Sequence, residues 1–215
     1  MSKKIKYLLL IILTCCSFVL NAQKKRVFLF EEYTNGSVLL KNGSKVSVLL
    51  NYDASNRKMM FKQDNMELIL VNGDQIDTVY IDNRKFVPIG DSFREVVSLE
   101  NGLVFIDWSL KNAYRGYKGA YGQLSQAKVE VINTAELTHD LYENQYAEVY
   151  ELKNANAYEF YHKGRFVRCK KMKDVLKVFP GQKDSIQLYI KKERINFSNV
   201  TDALKLIDYC LGFKL

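Results

Sequence analysis

The chain has 215 residues, of which 47% are hydrophobic and 26% are charged, and its formal net charge is +8. This length allows one good hydrophobic core or two small ones. Beyond residue 22, no apolar run is long enough to span a membrane, and only the glycine-rich stretch 111–126 is a candidate for disorder. Composition therefore argues against a largely disordered chain and against a membrane-spanning segment after the N-terminal region.

The first 22 residues have the features of a secretory signal peptide. Three lysines precede an apolar run that begins at Leu8, and a small residue, Ala22, stands before the expected cleavage point at Gln23. We expect export to the periplasm, the outer membrane or the exterior, with no transmembrane segment after cleavage. Lipidation of Cys15 or Cys16 is the alternative, although the residues before both fit a lipoprotein signal poorly.

Residues 24–110 are predicted to be β-rich. Asn-Gly pairs begin at residues 35, 42, 72 and 101, and Asn-Gly supplies the positive φ angles of tight hairpin turns. Short apolar or alternating runs flank these pairs at a spacing of roughly 8–12 residues, which is typical of a sandwich or a small barrel. We expect Asn42-Gly43 to form a two-residue turn with both residues at positive φ.

The stretch from Tyr114 to Gly122 contains three glycines and three tyrosines. It is too glycine-rich for a helix and too irregular for a confident strand, so it is predicted to be a loop. Strands are predicted at 127–132 and 146–152, and a hairpin is predicted around Lys163-Gly164.

The C-terminal part is predicted to be helical. Apolar residues recur at helical spacing in 172–179 and again in 186–190. A last helix is expected after Ser198 or Asn199, either of which can cap it, and Gly212 is expected to end it.

The predicted fold class is therefore α+β, with a β-rich N-terminal barrel or sandwich built from hairpins, followed by a small strand-plus-helix C-terminal part. The predicted organisation is a signal peptide at 1–22, a β-rich domain at 23–110, a Gly/Tyr loop at 111–126, and strands then two or three short helices at 127–215.

Several segments resemble a family of uncharacterised exported proteins of Bacteroidota. The junction LNAQ at 20–23 is similar to cleavage sites of that phylum, and the hairpin GSVLLKNGSKVSVLLNYD at 36–53 is similar to the family. So are YKGAYG at 117–122 and LKVFPGQKDSIQLYIKKERINF at 176–197. The resemblance covers most of the mature chain and implies no particular activity.

Cys169 and Cys210 are the two cysteines that remain after signal cleavage. Because an exported protein meets an oxidising compartment, they are candidates for one disulfide, which would close a loop of about forty residues. The alternative is that both are buried free thiols that act as small hydrophobic residues.

Positive charge is concentrated between Lys163 and Arg194, where the sequence has eleven basic residues and three acidic ones. Such a region can attract anionic lipid, glycan or nucleic acid. A solvated helix face rich in lysine is the simpler interpretation.

Motifs for known chemistry are missing from the sequence. His139 and His162 are the only histidines and belong to no metal-binding pattern, and there is no GxSxG, P-loop, GxGxxG or CxxC motif. We therefore predict no catalytic residue, no metal and no cofactor, and we lean against an enzyme. A carboxylate pair acting on glycosides stays open as the alternative, and Asp107 beside Trp108 is the kind of neighbourhood that such enzymes use.

The best local candidate for ligand binding is the Gly/Tyr segment. Tyrosine offers a rigid amphipathic surface, and basic neighbours add hydrogen-bond donors. The candidate residues are Tyr114, Arg115, Tyr117, Lys118 and Tyr121. The predicted function is a non-enzymatic envelope protein that binds a glycan, lipid or protein partner, and export argues against nucleic acid. Alternatively, the segment is a crossover whose tyrosines pack back on the sheet.

Overall fold

The structure, a computed structural model, describes residues 26–71, 73–118, 124–125 and 148–213. These residues form a strand-rich body followed by C-terminal helices, which confirms the α+β class. The strands are β1 (Thr34–Leu40), β2 (Lys45–Asp53), β3 (Lys58–Gln63), β4 (Met66–Ile69), β5 (Ile76–Ile81), β6 (Arg84–Ile89), β7 (Ser92–Ser98), β8 (Leu103–Asp107), β9 (Leu110–Lys118), β10 (Leu124–Ser125), β11 (Glu148–Asn154), β12 (Ala157–His162) and β13 (Arg165–Cys169). The α-helices are α1 (Met172–Val178), α2 (Lys183–Lys192) and α3 (Val200–Leu211).

Ten of these strands form one antiparallel sheet, in the order β13-β12-β8-β7-β6-β5-β1-β2-β3-β4. The strands β12 and β13 join it by pairing with β8, so the sheet includes strands from both ends of the chain. Within the described ranges no ladder joins β13 to β4, so the barrel suggested by the hairpin pattern is not closed. The other sheet has the order β10-β9-β11.

The half of the large sheet that contains β1–β7 curls around its own core. Tyr52 on β2 and Phe86 on β6 are fully buried, and their rings stack with centroids 5.9 Å apart. The curl brings β2 against β7, where Tyr52 Oη donates a hydrogen bond to the Phe93 carbonyl at 3.2 Å. It also brings Ala54, after β2, to the start of β9, where Leu110 N donates to the Ala54 carbonyl at 3.2 Å.

The half that contains β8, β12 and β13 is covered on one face by the helices. Alternate strand residues such as Val104, Ile106 and Phe160 are buried against apolar residues of the three helices. Phe160 stacks on Phe179, which follows α1, with centroids 6.3 Å apart. Leu206 on α3 is also fully buried. In this half, therefore, the helices bury the apolar face of the sheet. In the half with β1–β7, the curling of the sheet buries the same face.

Helix boundaries follow the sequence signals closely. Asn199 is the N-cap of α3, and its side chain accepts a hydrogen bond from Asp202 N at 3.2 Å. Gly212 is the C-cap of the same helix. Pro180 begins a short 3-10 helix directly after α1, because proline cannot continue the preceding α-helical hydrogen bonding.

The Asn-Gly turns differ from the prediction. At Asn42-Gly43 only Gly43 has positive φ, of 86°, and Gly43 N donates to the Leu40 carbonyl at 2.9 Å. The turn therefore has three loop residues with glycine in the left-handed position, and the expected two-residue form is wrong here. The two-residue form with both φ angles positive occurs at Asp64-Asn65 and at Lys163-Gly164, and the hairpin predicted at the second pair is confirmed.

Part of the predicted Gly/Tyr loop is a strand. The residues 110–118 form β9, which pairs with β11 in direct continuation of the β8–β12 ladder. Gly116 has a φ of 130° and lies where the β9–β11 register shifts, so glycine here accommodates a bulge. The remaining Gly/Tyr residues 119–123, and the strand predicted at 127–132, lie outside the described residues.

Candidate functional site

The register of β8, β12 and β13 defines a second face of the sheet, opposite the helices. Paired residues share a face, and Glu159 pairs with Phe105 on one side and with Arg168 on the other. Tyr161 pairs with Phe166 one step further along the same face. We call this surface of β8, β12 and β13 the open face.

Three aromatic side chains, Phe105, Tyr161 and Phe166, form a cluster on the open face that we call the aromatic patch. The Phe166 ring lies 5.8 Å from the Phe105 ring and 5.5 Å from the Tyr161 ring, between centroids, and both contacts are edge-to-face. Tyr161 is 59% exposed and Phe166 is 65% exposed. Exposed apolar side chains in contact with one another mark an interaction site more often than single ones do.

Charged residues continue the open face beyond the aromatic patch. Asp107 on β8 is almost completely buried and is ion-paired to Arg94 at 3.2 Å, to Arg57 at 3.4 Å and to Arg168. Glu159 is ion-paired to Arg168 and lies 3.5 Å from Nε of Arg94. We call these five residues the arginine network. Its three arginines exceed its two carboxylates by one positive charge.

Arg94 is the most buried cation of the arginine network, with a side chain that is 10% exposed. Burial lowers the pKa of Arg94, and the neighbouring carboxylate of Asp107 acts in the opposite direction. Its Nε has no hydrogen-bond partner of acceptable geometry among the described residues. Arg57 and Arg168 are more exposed, so the positive side of the network reaches solvent through them.

Trp108, which the sequence placed beside a candidate catalytic aspartate, has a structural role. Its Nε1 donates to Glu95 at 2.5 Å, and the Arg84 guanidinium lies 4.9 Å from its ring centroid. Arg84 also pairs with Glu95. Trp108 and Asp107 thus belong to separate networks of already paired charges, and this arrangement gives no support to a hydrolytic site at that position.

Two side chains of the predicted Gly/Tyr site fall within the described residues. Tyr114 on β9 is 46% exposed, and Arg115 forms an exposed ion pair with Glu151 on β11. Tyr121 lies outside the described residues, and so do the side chains of Tyr117 and Lys118. The structure therefore brings only Tyr114 and Arg115 of this group onto one described strand.

Cys169 and Cys210 are unbonded and fully buried in the helix-covered core. Burial raises the pKa of each thiol to about 12. The charge of Cys169 contributes to the raised pKa of Cys210, so the two sulfurs are close enough to interact. In this structure they are buried thiols, the second of the two arrangements that the sequence allows.

The aromatic patch was missed at the level of sequence, although part of its signal was present. A two-residue turn at Lys163-Gly164 requires His162 to pair with Arg165 and Tyr161 to pair with Phe166. The pairing was therefore predictable from the hairpin. The sequence did not predict which face of the hairpin the helices cover. That choice of face decides whether the rings of Tyr161 and Phe166 are exposed.

No family model, no curated protein and no solved structure matches this chain. Among the described residues, no helix has the length and apolar content needed to cross a membrane. The functional argument therefore rests on the geometry of the open face.

Proposed function

We propose that the protein is an exported, non-enzymatic protein of the cell envelope that binds a glycan on its open face. The observation that carries this proposal is the combination of two exposed, mutually packed rings, Tyr161 and Phe166, with charged hydrogen-bonding groups on the same sheet face. Export and envelope location are part of the proposal and depend on the signal-like N-terminus.

The aromatic patch suits a sugar because of its shape and rigidity. A pyranose ring has an apolar face of C–H groups that can pack on an aromatic ring, and Tyr161 adds a hydroxyl at the edge of that surface. The rings are held by their mutual contacts and by paired strands, so little conformational entropy would be lost on binding. Elements of regular structure place such groups more accurately than loops do.

The arginine network supplies the directional groups that a sugar also needs. Arg168 lies on β13 within the open face, and Glu159 pairs with it. Hydrogen bonds in which one partner is charged are stronger than neutral ones. A lipid tail would leave these charges unused, and a flat protein partner would need a larger apolar area than this patch provides. The open face therefore favours a glycan among the three partner classes expected from the sequence.

The alternative, a hydrolase with a carboxylate pair, is weakened by how the buried carboxylates are used. Asp107 and Glu159 lie on the same sheet face as the aromatic patch, and both are ion-paired to arginines. Asp53 accepts hydrogen bonds from Ser55 and Asn56, which follow β2. These carboxylates are therefore already engaged by neighbouring side chains, and we assign them no hydrolytic role.

A glycan array tests the proposal with the purified protein and two variants. We expect the wild type to retain one class of oligosaccharide, and the double variant Tyr161→Ala/Phe166→Ala to lose about tenfold or more of its affinity. Because both side chains are exposed, the thermal stability of the double variant should change little.

Tyr114→Ala is the matched control for this experiment, because it removes another exposed aromatic ring, on β9. We expect it to bind glycans as the wild type does. Loss of binding in Tyr114→Ala alone would instead favour the Gly/Tyr site predicted from the sequence. Wild-type protein that ignores every glycan, but sediments with envelope lipid vesicles or captures a purified envelope protein, would contradict the choice of a glycan.

A further inference from the structure

A small polar pocket lies on the helix-covered side of the sheet, away from the aromatic patch. It has a volume of about 180 Å³ and lies where β11 ends, β12 begins and β13 leads into α1. The residues that matter for the argument are Asn156, Tyr158, Lys170 and Lys171. Ligand pockets for drug-sized molecules are typically about 300–1,000 Å³, so this one suits a group of a few heavy atoms.

Asn156 contributes a buried side-chain amide whose oxygen is hydrogen-bonded and whose nitrogen has no hydrogen-bond partner among the described residues. Its Oδ1 accepts a hydrogen bond from Ser109 N at 2.8 Å, at the bend where the β8–β12 ladder continues into β9 and β11. That bond fixes the orientation of the amide group, because an amide oxygen accepts hydrogen bonds and an amide nitrogen does not. Nδ2 is then the end without a partner among the described residues, and the residue is 3% exposed.

Tyr158 contributes a second buried group without a partner. It is 1% exposed, and its ring packs edge-to-face on Phe197 with centroids 5.3 Å apart. Its Oη makes no hydrogen bond of acceptable geometry among the described residues. Burial raises the pKa of Tyr158, and the side-chain amides of Asn154 and Asn156 act in the opposite direction, because they lie close enough to the hydroxyl to favour its charged form by hydrogen bonding. Buried polar groups almost always have a partner, so two such groups beside one pocket need an explanation.

The charge around the pocket indicates which kind of partner fits. Lys170 and Lys171 line the pocket, and both are exposed basic residues. One neighbouring acidic residue, Asp174, already accepts hydrogen bonds from the backbone N–H groups of these two lysines, at 2.9 Å and 3.0 Å. An amide Nδ2 can only donate, and a tyrosine hydroxyl can donate, so the pocket offers donors together with positive charge.

We infer that this pocket binds one small oxyanion group, such as a phosphate, sulfate or carboxylate. The oxygens of the group would accept hydrogen bonds from Asn156 Nδ2 and Tyr158 Oη and would face the two lysines. The site is independent of the proposed glycan site, because it lies on the other side of the sheet and shares no residue with the open face.

The test measures thermal stability and heats of binding for the full protein with three probes: inorganic phosphate, sulfate and glucuronate, each at constant ionic strength. We expect a saturable rise in melting temperature with at least one of them. Glucuronate as the tightest probe would indicate an acidic sugar as the source of the group, and phosphate as the tightest would indicate a phosphorylated compound. No saturable effect from any probe would mean that the pocket holds water only, and would overturn the inference.

Tyr158→Phe is the decisive variant, since it removes the hydroxyl and keeps the ring that packs on Phe197. Without anion, the variant should be as stable as the wild type or more so, because a buried hydroxyl without a partner is unfavourable. With anion, it should bind about tenfold more weakly. Tyr80→Phe is the matched control, because it makes the same change at an exposed position on β5 that belongs to neither proposed site, and it should bind normally.

Lys171→Met tests the charge, and Lys173→Met, at an exposed position on α1, is its control. We expect weaker anion binding only in Lys171→Met. Equal losses in both lysine variants would show non-specific attraction to the basic surface and would overturn the site. A Tyr158→Phe variant that is less stable without anion and binds anion normally would show that the hydroxyl is structural, which would also overturn it.

Discussion

The two halves of the large sheet bury the same apolar face in different ways. In the half with β1–β7, the sheet curls until β2 meets β7, and its strands cover one another around Tyr52 and Phe86. In the half with β8, β12 and β13, three helices cover that face. A curled sheet needs no second layer, whereas a flatter one must bury its apolar face against another element. The helix-covered half can therefore present its opposite face as a regular surface.

The difference bears on function because it is the helix-covered half that carries the aromatic patch. Its open face holds Tyr161 and Phe166 as neighbours across two paired strands. The arginine network lies at the junction of the two halves. Asp107 on β8 forms ion pairs with Arg57 from the curled half and with Arg168 on β13. One buried carboxylate thus forms ion pairs with residues of both halves.

Core truncations in each half should have the largest effect. Phe86→Ala in the curled half and Phe160→Ala in the helix-covered half should each lower the free energy of unfolding by about 3–5 kcal/mol, because both rings are fully buried. Since one ladder of strands runs through both cores, chemical denaturation should show a single transition in both variants. Two separate transitions would show that the halves are independent folding units.

Removing the Asp107 carboxylate, which lies at the junction of the two halves, should destabilise the protein nearly as much as the core truncations do. Asp107→Ala leaves Arg94 buried without its carboxylate and should lower the free energy of unfolding by about 3 kcal/mol. The control is Glu151→Ala, which breaks the exposed pair with Arg115 and should cost less than about 1 kcal/mol. Similar losses in the two variants, measured by urea denaturation, would contradict the role of Asp107 as a buried junction.

Two glycines of the curled half should respond to alanine in different degrees. A Cβ on Gly36 would lie 2.5 Å from the Tyr80 carbonyl oxygen on β5, so Gly36→Ala forces β1 and β5 apart and should cost roughly 2 kcal/mol. A Cβ on Gly43 meets nothing within 4 Å, so Gly43→Ala carries only the cost of a positive φ, about 1 kcal/mol. The reverse order of melting temperatures would show that the curl is looser at β1 than the structure indicates.

The two thiols of the helix-covered half should give the smallest effect at neutral pH. Because burial raises the pKa of each thiol from its ordinary value of 9.0 to about 12, the contribution of the two thiols to stability is complete below pH 9. It is lost as the pH rises toward 12, since the unfolded chain ionises first. Native protein at pH 8 should resist alkylation at both positions, and denatured protein should react at both. A denatured chain that reacts only after reduction would instead establish the disulfide.

Local features of this fold were readable from the sequence. The caps of α3, the end of α1 at Pro180 and the hairpin at Lys163-Gly164 follow from φ preferences and short-range hydrogen bonds, which a few neighbouring residues decide. Helical periodicity likewise placed the apolar residues of the three helices. Each of these signals is complete within about one turn or one hairpin.

Only the tertiary structure decided the rest, because it depends on partners far away in the chain. Asn35-Gly36 and Asn42-Gly43 are identical pairs, yet the first lies inside β1 against β5 and the second forms a turn. Residues 110–118 are a strand because the β8–β12 ladder continues into the pairing of β9 with β11, which compensates for the glycine at position 116. Which sheet face the helices cover likewise depends on packing across the whole domain, and that choice leaves the aromatic patch exposed.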